Sequence, residues 1–239
     1  MLFTASFAAG AIFLIVMALV FRDKSVSPSK LADEADKLKA ANAKVVANLG
    51  AGQVSKVRAI DGDDFLLGKK NSKNELIVYL DFDCPFSRSF FKTIKQVNEV
   101  FGKDLAIALR HYPLDSHPGA LEAAQAFECA REQEKALPMA EALFDNQDKN
   151  DNNTEGILAD AQAVGLKMQP FKSCLSSKKY QAKILAGKEE AGLFGVMGAP
   201  TSFLNGRNLP GAYQFEDFSD ATGRQYEGLK TLIAKEIKK

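Results

Sequence analysis

Ile77-Val78-Tyr79-Leu80-Asp81-Phe82-Asp83-Cys84-Pro85-Phe86-Ser87 runs from an apolar stretch straight into a cysteine and a proline. A continuous apolar run of this length reads as a strand. Pro85 suits the first position of a helix, where no N–H is needed. Cys84 therefore sits at a strand-to-helix junction. Backbone N–H groups at a helix N-terminus point outward and the helix dipole favours negative charge there, so the reactive thiolate is stabilised. Packing alone is the competing account, because a free cysteine also behaves as a small hydrophobe.

Two further segments extend the pattern: Gly198-Ala199-Pro200-Thr201-Ser202-Phe203-Leu204-Asn205-Gly206, and Arg110-His111-Tyr112-Pro113-Leu114, which precedes a long helical stretch. On these three segments the chain resembles the DsbA-like branch of the thioredoxin-fold thiol:disulfide oxidoreductases, from about residue 57 to the C-terminus. The resemblance implies an α/β thioredoxin fold with an inserted helical cap over about 117–194. It implies Cys84, Ser87 and Pro200 as the catalytic set, with Pro85, Phe86, Ala199 and Thr201 against the substrate. In such proteins the proline matching Pro200 is cis, a form that costs little for an X–Pro bond. It lies against the active sulfur and lets the preceding residue, here Ala199, pair with an extended substrate by strand addition.

Two departures from the family pattern alter the expected chemistry. Dithiol members carry a second cysteine where this chain has Ser87, and an alcohol cannot close an internal disulfide. A mixed disulfide on Cys84 must then be resolved by another thiol, on the substrate, on a small molecule such as glutathione, or on a redox partner protein. A substituted serine that traps the mixed disulfide is the alternative to a natural one. Many members also carry an acidic residue six positions before the nucleophile, where this chain has Val78. Asp81 and Asp83 are nearer, but a carboxylate beside the sulfur disfavours the thiolate; they read as solvent-facing or helix-capping. Ser87 is expected to hydrogen-bond the sulfur.

The remaining cysteines, Cys129 and Cys174, fall in the expected cap. In an oxidising compartment they read as a structural disulfide closing a loop of about 45 residues. Two separate buried thiols, or one acting as a remote resolver of Cys84, are the alternatives. The function expected is thiol-disulfide exchange on extracytoplasmic proteins bearing thiols or disulfides. The alternatives are a non-catalytic peptide-docking module and a glutathione-dependent enzyme like the kappa-class transferases, which have Ser where this chain has Cys84.

Periodicity predicts a first strand over 57–60 with a turn at Asp61-Gly62, a strand over 76–82, a helix over 85–101 and a strand over 105–111. Helical segments follow over 117–135, 137–144, 155–164 and 178–194. Strands over 201–204 and 212–214 and a helix over 224–237 complete the domain.

Residues 1–21 carry no charge and are long enough to span a bilayer. They read as a transmembrane anchor, with a cleaved signal peptide as the alternative. Residues 22–56, polar and Ala- and Lys-rich, read as a helical or flexible spacer. The expected location is single-pass in a bacterial cytoplasmic membrane with the domain facing the periplasm or exterior, although Arg22 and Lys24 after the span argue for the reverse orientation. With 46% hydrophobic and 26% charged residues and a net charge of +1, the chain is ordinary for one soluble domain. That balance points away from nucleic acid. No cofactor or metal is expected: the acidic loop 145–153 lacks the glycine and glutamate of a calcium loop, and His111 and His117 lack zinc-site spacing.

Overall fold

The computed structural model describes residues 57–147, 152–220 and 222–239. The expected span at 1–21 and spacer at 22–56 lie outside the described residues. Strand β1 (Phe65–Gly68) leads to β2 (Asn74–Leu80), α1 (Pro85–Phe101) and β3 (Leu105–His111). The cap follows as α2 (Ala120–Arg131), α3 (Ala136–Asp145), α4 (Thr154–Ala163), α5 (Met168–Ser176) and α6 (Gln181–Leu193). The chain then returns to the sheet through β4 (Thr201–Leu204) and β5 (Arg207–Pro210). A small hairpin of β6 (Phe218–Ser219) and β7 (Gln225–Tyr226) precedes α7 (Leu229–Ile237). The five-stranded sheet has the order β1-β3-β2-β4-β5, with β2 parallel to β3 and the other pairs antiparallel. This is the expected thioredoxin-like α/β fold.

Strand β2 lies at the centre, which is why its sequence is apolar on both faces. Leu76, Val78 and Leu80 join Leu105, Ile107 and Leu109 of β3 in the larger core, with Phe90, Ile94 and Val97 of α1 and Leu229 and Ile233 of α7. Ile77 and Tyr79 face the other way, toward Ala108, Phe203, Ala191 and Val196. The buried stripe of α1, at Ser87, Phe90, Phe91, Ile94 and Val97, has helical spacing. Each fully buried large apolar side chain in it contributes roughly 1.5–3 kcal/mol.

The cap is joined to the sheet by a row of aromatic rings. Phe91 packs on Phe144, Phe144 on Phe82, Phe82 on Phe127 and Phe127 on Phe65, with centroids 4.8 to 5.5 Å apart. At its hub, α2 is buried from Ala123 through Ala130. Cys129 of α2 and Cys174 of α5 form the expected disulfide, with Cα atoms 5.8 Å apart.

Several expected boundaries need correction. The first strand is not 57–60 but β1, because Phe65 and Leu67 pair across from Leu109 and Ile107; Arg58 instead turns into ion pairs with Asp61 and Asp64. The strand expected at 212–214 is β5, starting directly after Asn205-Gly206. Both residues have positive φ, 48° and 82°, so they make a two-residue hairpin turn that sends the chain straight back. Helix α5 adds to the expected helical segments; its Pro170 sits at the third position, where the missing N–H is one of those a helix leaves unpaired in any case. The terminal helix starts only at Leu229. Gly228 comes so close to Glu216 that a Cβ would lie 2.2 Å from its carbonyl oxygen, and its N–H donates to Asp217 Oδ1.

Candidate functional site

Cys84 is the N-cap residue of α1, with φ −87° and ψ 119°, and Pro85 opens the helix behind it. The Arg88 N–H donates to the Cys84 carbonyl at 3.0 Å, the first bond of that helix. The thiol has a partner far along the chain: Cys84 Sγ donates to the Ala199 carbonyl oxygen at 3.4 Å. Ala199–Pro200 is a cis peptide bond, as expected. The two sequence segments that suggested the site therefore meet, at the sulfur.

Around this contact the expected residues divide. Ser87 is fully buried, and its hydroxyl accepts the Asp81 N–H at 3.2 Å, so it is engaged with the backbone before the cysteine. Thr201 opens β4, and its hydroxyl donates to the Gly198 carbonyl, bracing the turn that carries Pro200. Phe86 is 68% exposed and Met197, beside the cis-proline turn, 93% exposed. Both segments that meet at the sulfur therefore carry a large exposed apolar side chain, while Cys84 itself is only 3% exposed.

The three residues between β2 and Cys84 are held from the cap, which the sequence did not foretell. The Phe82 carbonyl accepts the side-chain amides of Gln147 and Asn152, at 2.7 and 3.0 Å. Asp83 Oδ1 accepts Asn152 Nδ2 at 2.6 Å. Burial pushes the Asp83 carboxyl above the ordinary aspartate range, more than the hydrogen bonds from Asn152 and the Gly119 N–H pull it down. Asp81 does not face solvent: its side chain is buried, and its oxygens accept the Asp83 N–H, the Leu114 N–H and His117 Nδ1 at 2.7, 2.9 and 2.8 Å. A signal was present, a carboxylate ending an apolar strand three residues before the cysteine, but its partners are distant in sequence. Val78, where the family's acidic residue is missing, is a core residue.

Behind the sheet, Arg110 makes a two-point ion pair with Asp64 at 2.8 Å and also donates to Tyr79 Oη and the Ala59 carbonyl. His111 Nε2 lies 2.9 Å from Glu128 Oε1. Both pairs line a cavity of about 450 Å³ between the sheet and α6. Neither involves the sulfur.

The sequence profile of a family described as Thioredoxin matches residues 61–222. Among solved structures, the fold is similar to a thioredoxin-like oxidoreductase from Silicibacter pomeroyi, with 21% identity, a TM-score of 0.62 and coverage of 79% of this chain and 99% of that one. It is also similar to the thiol-disulfide exchange protein alpha-DsbA2 from Wolbachia pipientis, with 17% identity, a TM-score of 0.61 and coverage of 83% and 97%. A curated relative, the Na(+)/H(+) antiporter NhaA 1 of Mycolicibacterium vanbaalenii, is 34% identical over 63% of this chain, and the chain spans about a quarter of that protein's length, 25%. These findings correct the expected single-pass location in a cytoplasmic membrane. The matching stretch occurs in relatives as a minor part of proteins named as antiporters, and among the described residues no helix is long and apolar enough to cross a membrane. The apolar residues that prompted the expectation lie outside the described residues.

Proposed function

This chain belongs to the thioredoxin family, and on that footing we propose that it is a DsbA-like thiol:disulfide oxidoreductase that exchanges protein disulfides through one cysteine, Cys84. The observation that carries the reading is the Cys84 Sγ to Ala199 carbonyl contact at a cis-proline turn. The Cys84 thiolate attacks one sulfur of a substrate disulfide; a Cys84–substrate bond forms, the substrate S–S bond breaks, and the second substrate sulfur leaves as a thiolate that takes a proton. Ser87 has no sulfur to resolve this adduct. A thiolate from the same substrate, from glutathione or from a redox partner protein attacks the substrate sulfur and releases Cys84, so disulfides are moved with no net gain or loss of electrons.

Docking and ionisation support each other in this arrangement. Only the protonated thiol donates to the Ala199 carbonyl; once the proton leaves, that oxygen is open to an N–H of an extended substrate. Phe86 and Met197 supply apolar contacts beside it, with Pro85 and Thr201 flanking. The low exposure of Cys84 favours a second reading, a peptide-docking module in which the thiol is packed rather than reactive.

Incubating the reduced protein with a peptide disulfide and identifying adducts by mass spectrometry separates the two. Exchange requires a mixed disulfide on Cys84 that reduced glutathione releases and that Cys84→Ala cannot form. Peptide binding with no adduct leaves the docking module.

A further inference from the structure

We infer that Asp81 is the positioning residue of the Cys84 site, with His117 as the side-chain donor that holds its carboxylate in place. The inference rests on the exchange reading above. Asp81 engages the site through both backbone and side chain. Its N–H donates to Ser87 Oγ at 3.2 Å, and its carbonyl accepts the Cys84 N–H at 3.1 Å, so the residue brackets the turn that carries the sulfur. Oδ1 accepts the Asp83 N–H inside the same turn. Oδ2 reaches across to the loop after β3, accepting the Leu114 N–H and His117 Nδ1. That loop is closed on itself by the His117 N–H donating to the Leu114 carbonyl at 3.0 Å.

The chemistry of the carboxylate decides between positioning and proton transfer. A fully buried carboxylate is costly unless its lone pairs are used, and here three donors use them. It is thus committed to the two loops. An ionised carboxylate only accepts, so the His117 nitrogen facing it carries the hydrogen. His117 is partly exposed, with its side chain at 26%, whereas Asp81 is sealed. Removing either partner frees the turn before Cys84 and lets the sulfur drift from Ala199. A misplacement of about 1 Å at a reacting atom can cost on the order of a hundredfold in rate.

The test compares two probes on the whole protein: an extended peptide disulfide, which needs the register between Cys84 and Ala199, and 4,4′-dithiodipyridine, which needs only the thiol. Asp81→Asn and His117→Ala are expected to slow peptide exchange on the order of tenfold relative to the small reagent. His117→Asn, whose amide nitrogen reproduces the donor to Asp81, is expected to restore the ratio to within about threefold of the parent. Loss of stability alone does not move that ratio. Peptide exchange by His117→Ala at the parent rate overturns the inference and leaves the exchange reading intact. A His117→Asn protein as slow as His117→Ala also overturns it, because the ring rather than the hydrogen bond is then what acts. If the parent itself forms no mixed disulfide, the exchange reading fails and takes the inference with it.

Discussion

At Ser87 a single oxygen separates this site from a dithiol one. The side chain is buried one turn into α1, at the spacing of a resolving cysteine, with its hydroxyl turned to the Asp81 N–H. Ser87→Cys should therefore supply an internal resolver at a cost of about 1 kcal/mol for the weakened hydrogen bond. The expected outcome is that the Cys84–peptide adduct no longer accumulates and an internal disulfide between Cys84 and the introduced thiol appears instead, both read by mass spectrometry under non-reducing conditions. Phe86, by contrast, is a surface residue, so Phe86→Ser should change stability by no more than about 0.5 kcal/mol. It should still weaken peptide exchange several-fold through KM, and a stability loss without that KM change would remove Phe86 from the substrate surface.

Among the elements, the cap matters to the site because it grips the segment leading to Cys84. Phe82 is the link, with its ring in the aromatic row and its carbonyl under Gln147 and Asn152. Phe82→Ala should cost roughly 3–5 kcal/mol by cavity formation, measured by urea unfolding. The Cys129–Cys174 bond joins two cap helices across a sequence separation of 45 residues. In a chain-entropy account, replacing both by Ala lowers stability by roughly 3–4 kcal/mol. The parent should show the same shift in denaturation midpoint when reduced, and the double variant should show none. Cys84 reactivity toward 4,4′-dithiodipyridine should survive in the folded double variant, since neither cysteine belongs to the exchange site.

Over the whole molecule, the buried ion pairs set the response to acid. Burial works to raise the Asp64 carboxyl, and the hydrogen bonds and charge of Arg110 overcome it, holding Asp64 below the usual carboxylate range. Glu128 is likewise lowered: burial works to raise it, and the hydrogen bond and charge of His111 together with Lys183 and Arg131 overcome it. Both groups contribute stability that is full above the ordinary carboxylate pKa and lost as pH falls through their lowered values. Asp83 is raised and has the opposite sign: its contribution declines as pH rises from the ordinary aspartate value through the raised one. Unfolding free energy should thus fall on acidification below the normal carboxylate range. Asp64→Asn, which leaves Arg110 buried without its counter-charge, should cost roughly 3–5 kcal/mol near neutrality and flatten that acid slope. Denaturant unfolding at several pH values checks both. The sequence by itself determined the central strand, the Cys84–Pro85 helix start, the cis-proline segment and the long cap, because each is written in local features: an apolar run, a residue with a fixed φ, a helical stripe. The Asn205-Gly206 turn and the strand directly after it came from the structure, since the sequence reading places that strand over 212–214. Only the tertiary structure decided that the sulfur meets Ala199, that Asp81 is buried against Leu114 and His117, and that Arg110 pairs with Asp64. These contacts join residues 33 to 115 positions apart. Local propensity carries no information about such pairs; packing the cap against the sheet brings the groups together, and the expense of burying an unpaired charge or hydrogen-bonding group holds them there.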